Sequence, residues 1–209
     1  EPLFDRLVAA VKMIREAGIQ PHIIPTAHGG NIDALGEYVA LADSLGATMN
    51  FSLLSAPVEN EDLSAVLPDD AALERLAQAT LALSRDGVPV LSDTPVSTRL
   101  TTTCGCGAGC TMVSVSADGE VFPCHMMHDE AFSLGSLLED SGCLAARHAP
   151  APRVAELGAC ADCDIRYLCG GGCRARAYFA TGDVEARDPY CSLVRTFYRL
   201  LFEAMLARN

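Results

Sequence analysis

Apolar residues recur at helical spacing over positions 3–17, where Leu3, Leu7, Val11 and Ile14 share a face and Gly18 is placed to end the helix. A strand follows. Positions 19–25 are short and apolar at Ile19, Ile23 and Ile24 before the chain breaks into Thr26, Ala27, His28, Gly29 and Gly30. Asn31 can then cap a helix that carries Ile32, Leu35, Val39 and Ala42 and closes at Gly46. Positions 47–54 read as a second strand, and 55–68 as an acidic loop with Glu59, Glu61 and Asp62. Asp69 opens a helix bearing Leu73, Leu76, Thr80 and Leu83, Gly87 ends it, and 88–91 form a third strand. Helix and strand alternating with short connections predict an α/β fold whose parallel sheet has right-handed crossovers. In such sheets function gathers at the carboxyl ends of strands. That directs attention to Thr26 and His28, Ser52 and Ser55, and Ser92 and Asp93, each of which could equally serve loop backbone. Three strands leave an edge exposed, so residues 1–95 are expected to be half of a partial (β/α) barrel.

The pattern changes from Thr94. Pro95 and a Thr-rich linker at 98–103 lead to β-prone runs at 111–115 and 121–122, joined by Ala117, Asp118, Gly119 and Glu120, a hairpin signal. Cys124 falls just past the second of these strands. Positions 133–157 are weakly patterned, 174–180 can form a helical turn or two, and Val194, Phe197, Leu201 and Met205 give a terminal helix an apolar face. Residues 96–209 are therefore expected to form a second, small and irregular α+β domain.

Composition narrows the class. Half of the 209 residues are apolar, yet no run approaches the roughly 20 needed to span a bilayer, and the start of the chain has neither a basic leader nor a cleavage pattern. A soluble protein that uses no membrane is expected. A net charge of −12 argues against nucleic acid as a partner, because phosphate binding calls for a basic stripe. All ten cysteines lie after position 103. Secreted disulfide frameworks spread cysteines along a short chain, so this clustering fits metal ligands in a reducing cytoplasm better.

Nine cysteines form two groups: Cys104, Cys106, Cys110 and Cys124, then Cys160, Cys163, Cys169 and Cys173 with Cys191 following. Cys143 stands apart as the candidate non-ligand. The second group reads C-x2-C-x5-C-x3-C, with Gly170, Gly171 and Gly172 allowing close backbone approach to a bound centre. Thiols at such spacing suit tetrahedral zinc or an iron–sulfur cluster. Zinc ribbons usually pair two C-x2-C knuckles, whereas this chain has one, which favours two cubane clusters.

The run from Cys104 or Cys106 through Gly119 to Cys124, continued by Cys160, Cys163, Cys169, Cys173 and Cys191, resembles the SPASM domain of radical S-adenosylmethionine enzymes that modify ribosomal peptides and proteins. The preceding 95 residues are similar in pattern to the later βα units of that family's partial barrel. The resemblance implies two auxiliary [4Fe-4S] clusters with interleaved ligands. The second would take Cys160, Cys163, Cys169 and Cys191, while Cys173 reaches back to the first, which adds Cys124 and a choice among Cys104, Cys106 and Cys110. Cys104 with Cys110 matches anaerobic sulfatase-maturating enzymes, and Cys106 matches several peptide maturases; both remain open. If only three thiols bind the first cluster, its open iron could take substrate.

Two departures qualify the match. The family's S-adenosylmethionine-cleaving cluster needs C-x3-C-x2-C, and no cysteine precedes position 104. The chain is thus expected to be the carboxyl-terminal portion of a longer maturase. The complete enzyme would use S-adenosylmethionine, a third [4Fe-4S] cluster, a precursor peptide and an electron donor such as flavodoxin or ferredoxin. Thr26 and Ser52 would then lie on the S-adenosylmethionine side of the barrel. The second departure is His125, which stands where sulfatase-maturating enzymes carry a proton-accepting aspartate. A histidine could act there, since its unperturbed pKa is near ~6.5; a surface role is the plainer alternative. Two rival readings are a stand-alone iron–sulfur electron-transfer or scaffold protein and a zinc-binding interaction module.

Overall fold

The structure, a computed structural model, describes residues 3–55, 63, 65–84, 90–92, 94–98, 100–103, 105–138 and 151–207. Glu59, Glu61, Asp62, Gly87, Asp93, Cys104 and Cys143, with the first part of the expected strand at 88–91, lie outside the described residues. The chain divides into two compact units, Glu1–Leu100 with Tyr190–Asn209, and Thr101–Pro189.

In the first unit, β1 (His22–Ile23) pairs in parallel with β3 (Thr48–Met49), and β2 (Thr26–Ala27) with β4 (Ser52–Leu53). Phe51 adds a parallel bridge to Leu91, so three chain segments run side by side in the expected sense. Pro25 separates β1 from β2: it has no N–H to give, though its carbonyl still accepts from Ser52 N–H at 3.1 Å. Between the strands, a 3-10 turn at Ile32–Ala34 leads into α2 (Leu35–Ser44), which buries Leu35 and Ala42. α1 (Leu3–Glu16) forms as its periodicity predicts, but none of its residues is buried, and Leu3 and Leu7 stand exposed.

The role expected of Asn31 differs. Its side chain makes no cap bond to the helix; instead Oδ1 accepts from His28 N–H at 2.9 Å and Nδ2 donates to Thr26 O at 2.9 Å. A short amide can bond neighbouring backbone in either direction, and here the turn after β2 wins it.

The terminal helix falls on the other side of the expected 95/96 boundary. α6 (Cys191–Leu206) packs on α3 (Asp70–Leu83) within the first unit. The reason is the face it presents: Leu193, Val194, Phe197, Tyr198 and Leu201 are buried, and so are Ala72, Leu73, Leu76, Ala77 and Thr80 of α3. Small residues on α3 leave room for aromatic ones on α6. Tyr190 Oη donates to Leu54 O at 2.6 Å and Tyr198 Oη to Pro95 O at 2.9 Å, which anchors the helix to segments following the second and third strands. Met205, expected on this face, is exposed near the end of the helix.

The second unit holds the predicted hairpin, β5 (Ser114–Val115) antiparallel to β6 (Glu120–Phe122), with Gly119 at φ 87° in its turn. A third strand, β7 (Gly135–Ser136), pairs with β6 and was hidden in the weakly patterned stretch. Val121, Phe122, Leu134, Val154 and Leu157 are buried in this unit. Two short helices, α4 (Arg166–Cys169) and α5 (Arg174–Thr181), follow, and Tyr178 of α5 meets Phe132 edge-on at 4.7 Å between ring centroids.

Phe197→Ala removes a wholly buried ring from the α3–α6 contact and is expected to cost about 3–5 kcal/mol. Asp69 caps α3 by accepting from Ala72 N–H at 2.7 Å, and Asp69→Ala is expected to cost about 1 kcal/mol. Urea unfolding of each variant against the parent measures both.

Candidate metal centre

Sulfur ligands must be brought together by backbone before any metal can use them, and the second unit does this mainly with turns. The carbonyl of Gly107 accepts from Cys110, Thr111 and Met112 N–H at 2.9–3.1 Å, a tight turn that carries Cys110 at an exposed position. Cys106 sits at the inner end of the same turn. Its segment is pinned by the Gly105–Arg153 bridge, by Thr103 N–H on Tyr167 O at 2.6 Å, and by Ala151 N–H on Ala108 O at 3.2 Å. Cys124 follows β6 and is buried.

Cys106, Cys124 and Cys173 converge on one apolar nest made of Ala108, Met127 and Ala175. Burial pushes the Cys124 thiol up from its ordinary value, and the neighbouring sulfurs of Cys173 and Cys106 push it further, while the Met126 and Met127 amides pull it down. Burial likewise raises Cys173; Arg176 and the amides of its own helix oppose this, and Asp188 adds to it. Thiols gathered in this way make a soft donor set. Of the three candidates left open beside Cys124, the structure gathers Cys106 into this nest and leaves Cys110 exposed; Cys104 lies outside the described residues.

Cys173 is held from behind. Its N–H donates to Asp188 Oδ2 at 2.6 Å, and Arg176 Nη2 donates to the same oxygen at 2.8 Å, all but enclosed with side-chain exposures of 2% and 6%. Arg174, also buried, donates to the carbonyls of Val184 at 2.8 Å, Ala186 at 2.9 Å and Gly171, while its Nε meets no acceptor among the described residues. The sequence reading missed these three residues. Their signal was CRAR, two arginines directly behind a cluster cysteine in an otherwise acidic chain.

Cys160, Cys163 and Cys169 ride on successive turns. Cys163 N–H donates to Cys160 O at 3.1 Å, Arg166 N–H to Cys163 O at 3.3 Å, and Cys169 N–H to Ile165 O at 2.9 Å. Gly170, Gly171 and Gly172 then take φ of 70°, 93° and 74°, a left-handed run that only glycine enters readily. A Cβ at each would lie within 2.5–2.7 Å of Thr103, Leu157 and Asp188 respectively, so these glycines admit protein neighbours rather than only a bound group. Cys191 begins α6 and belongs to the first unit. Cys106, Cys110, Cys124, Cys160, Cys163 and Cys173 are free thiols. Among the described residues, no three His, Cys, Asp or Glu side chains close around a single ion.

The donor set fits an iron–sulfur group. It offers clustered soft thiols in an apolar shell, amide groups that favour the charged sulfur, and a buried Arg174 Nε–H without an acceptor among the described residues.

The remaining expected site residues are placed as follows. Thr26 and Ser52 are register partners and the first residues of β2 and β4, hydroxyl to hydroxyl at 3.5 Å. Ser55 and Ser92 donate to the carbonyls of Leu53 and Phe51, and His28 Nδ1 accepts from Gly30 N–H at 3.1 Å; all three serve loop backbone. His125 is exposed beside buried Cys124.

Raised thiols set a pH dependence for the metal-free protein. A thiol whose folded pKa exceeds its unfolded value binds more protons when folded, so its contribution is intact below the ordinary value of 9.0 and is lost as pH climbs past it. Urea midpoints of the metal-free protein are expected to fall between neutral pH and pH ~10, and to fall less in Cys124→Ala.

No protein-family model matches the chain. It is 28% identical over 202 residues to the mycofactocin maturase MftC of Mycolicibacterium smegmatis, covering 90% of this chain and 51% of that protein. It is 29% identical over 222 residues to the PqqA peptide cyclase of Granulibacter bethesdensis, covering 98% and 58%. It is 27% identical over 219 residues to the AdoMet-dependent heme synthase of Methanosarcina barkeri, covering 90% and 60%. The chain thus spans between half and three fifths of the length of these relatives. Among solved structures, native anSMEcpe with bound AdoMet and Kp18Cys peptide superposes with a TM-score of 0.70 at 15% identity, covering 98% of this chain and 61% of that one. That likeness establishes the fold.

Proposed function

We infer that this chain, which resembles the carboxyl-terminal portion of radical S-adenosylmethionine enzymes with a SPASM domain, carries the auxiliary iron–sulfur sites of a maturase acting on a ribosomally made peptide. The observation that carries the reading is the convergence of Cys106, Cys124 and Cys173 from remote segments on one apolar nest. These three hold the first centre. Cys160, Cys163 and Cys169 serve the second, with Cys191 as the further ligand that the resemblance implies. Loaded with [4Fe-4S] clusters, such sites supply an electron acceptor or an anchor for substrate.

The chain's own residues set the conditions. Ala108, Met127 and Ala175 pack around buried Cys124, and backbone amides of Met126 and Met127 offset its charge. His125, exposed next to Cys124, would take a proton from substrate, the role that the resemblance suggests for this position. Thr26 and Ser52, paired across β2 and β4 of the half barrel, face S-adenosylmethionine in the complete enzyme. Cleavage of that cofactor belongs to a third [4Fe-4S] cluster, because this stretch has no cysteine before position 104. A flavodoxin or ferredoxin would feed it electrons. Similarity to MftC and to PqqA peptide cyclase favours a precursor peptide as substrate. Similarity to the heme synthase favours a second reading, a tetrapyrrole, which binding of the two ligand classes to the complete enzyme separates.

Anaerobic purification followed by iron, sulfide and zinc analysis tests the reading: about eight irons per chain with matching sulfide are expected from two cubanes. About two zincs without sulfide would overturn it. Cys106→Ala and Cys163→Ala should each lose about four irons, while Cys110→Ala and Cys143→Ala should lose none.

A further inference from the structure

Arg176 and Asp188 form a buried ion pair in the second unit. Buried ion pairs often stabilise no more than apolar residues of the same volume would, so their position has to be asked about. This pair is aimed at one ligand. Asp188 Oδ2 accepts both Cys173 N–H at 2.6 Å and Arg176 Nη2 at 2.8 Å, and Arg176 Nε reaches Asp188 Oδ1 at 3.2 Å. Asp188 in turn fills the space where a Cβ on Gly172 would sit, so the carboxylate is locked against the backbone that precedes the cysteine. One end of this unit is a cation in the first turn of α5, and the other an anion bonded to the ligand's own amide.

We propose that Arg176 and Asp188 are positioning residues for the first auxiliary centre, fixing Cys173 against it and setting its reduction potential by opposing charges. The proposal rests on the cluster reading above. A reduced cluster carries one more negative charge than an oxidised one, so a nearby cation favours reduction and a nearby anion disfavours it. In the dry interior around Cys173 both charges act with little screening by salt.

The test is an EPR-monitored redox titration of the anaerobically purified chain, after iron and sulfide analysis of the parent. Asp188→Asn is expected to shift the potential of one cluster upward, Arg176→Gln to shift the same cluster downward, and the double variant to return towards the parent. Arg176→Lys, which keeps the charge, should leave the potential near that of the parent but release iron faster to a chelator. Shifts of the same sign, or no shift in loaded single variants, would overturn the proposal. Should the single variants fail to load, the double variant decides: a loaded cluster at the parent potential supports the proposal, and an unloaded one overturns it. Absence of iron and sulfide from the parent would instead sink the cluster reading on which it rests.

Discussion

The hydrogen bond from Cys173 N–H to Asp188 is the contact on which the second unit turns. It joins the end of the glycine run to the segment after α5, and it fixes the backbone of the one cysteine that stands in the second sequence group yet lies with Cys106 and Cys124 of the first. Around it, Gly172 yields its space to Asp188, Gly171 to Leu157 and Gly170 to Thr103. Arg174 gathers the carbonyls of Gly171, Val184 and Ala186. A region poor in regular structure is thereby held by buried polar contacts, where another protein would use a sheet or a bundle.

The first unit works by ordinary packing. Its three parallel segments and the helices α2 and α3 were legible in the sequence because each rests on periodic apolar residues with clear stops such as Gly18, Gly46 and Pro25. What periodicity cannot give is the partner of a face. The apolar stripe of the terminal helix was plain, but that it packs on α3 depends on small residues, Ala72 and Ala77, which carry little signal of their own. Asn31 illustrates the same limit at a finer scale: its residue type announced a cap, and its geometry made it a brace for the turn after β2.

In the site, the cysteine spacing marked out two groups, while which of Cys106 and Cys110 lies beside Cys124 needed three dimensions. Only the Gly107 turn distinguishes a thiol in the nest from one at the exposed tip. The charged knot behind Cys173 was the largest omission. Arg174 and Arg176 read as surface residues of a short helix, and Asp188 lies fifteen residues from the cysteine it holds. Buried charges defy the rule that places them outside, and such exceptions gather where a protein has chemistry to arrange.

The central claim is that Cys106, Cys124 and Cys173 jointly hold an iron–sulfur centre. Anomalous diffraction at the iron edge from anaerobically grown crystals addresses it most directly. The account predicts a compact group of iron peaks enclosed by these three sulfurs, with Cys110 pointing away. Iron bound at Cys110 in place of Cys106, a single zinc peak, or sulfurs joined in pairs would contradict it.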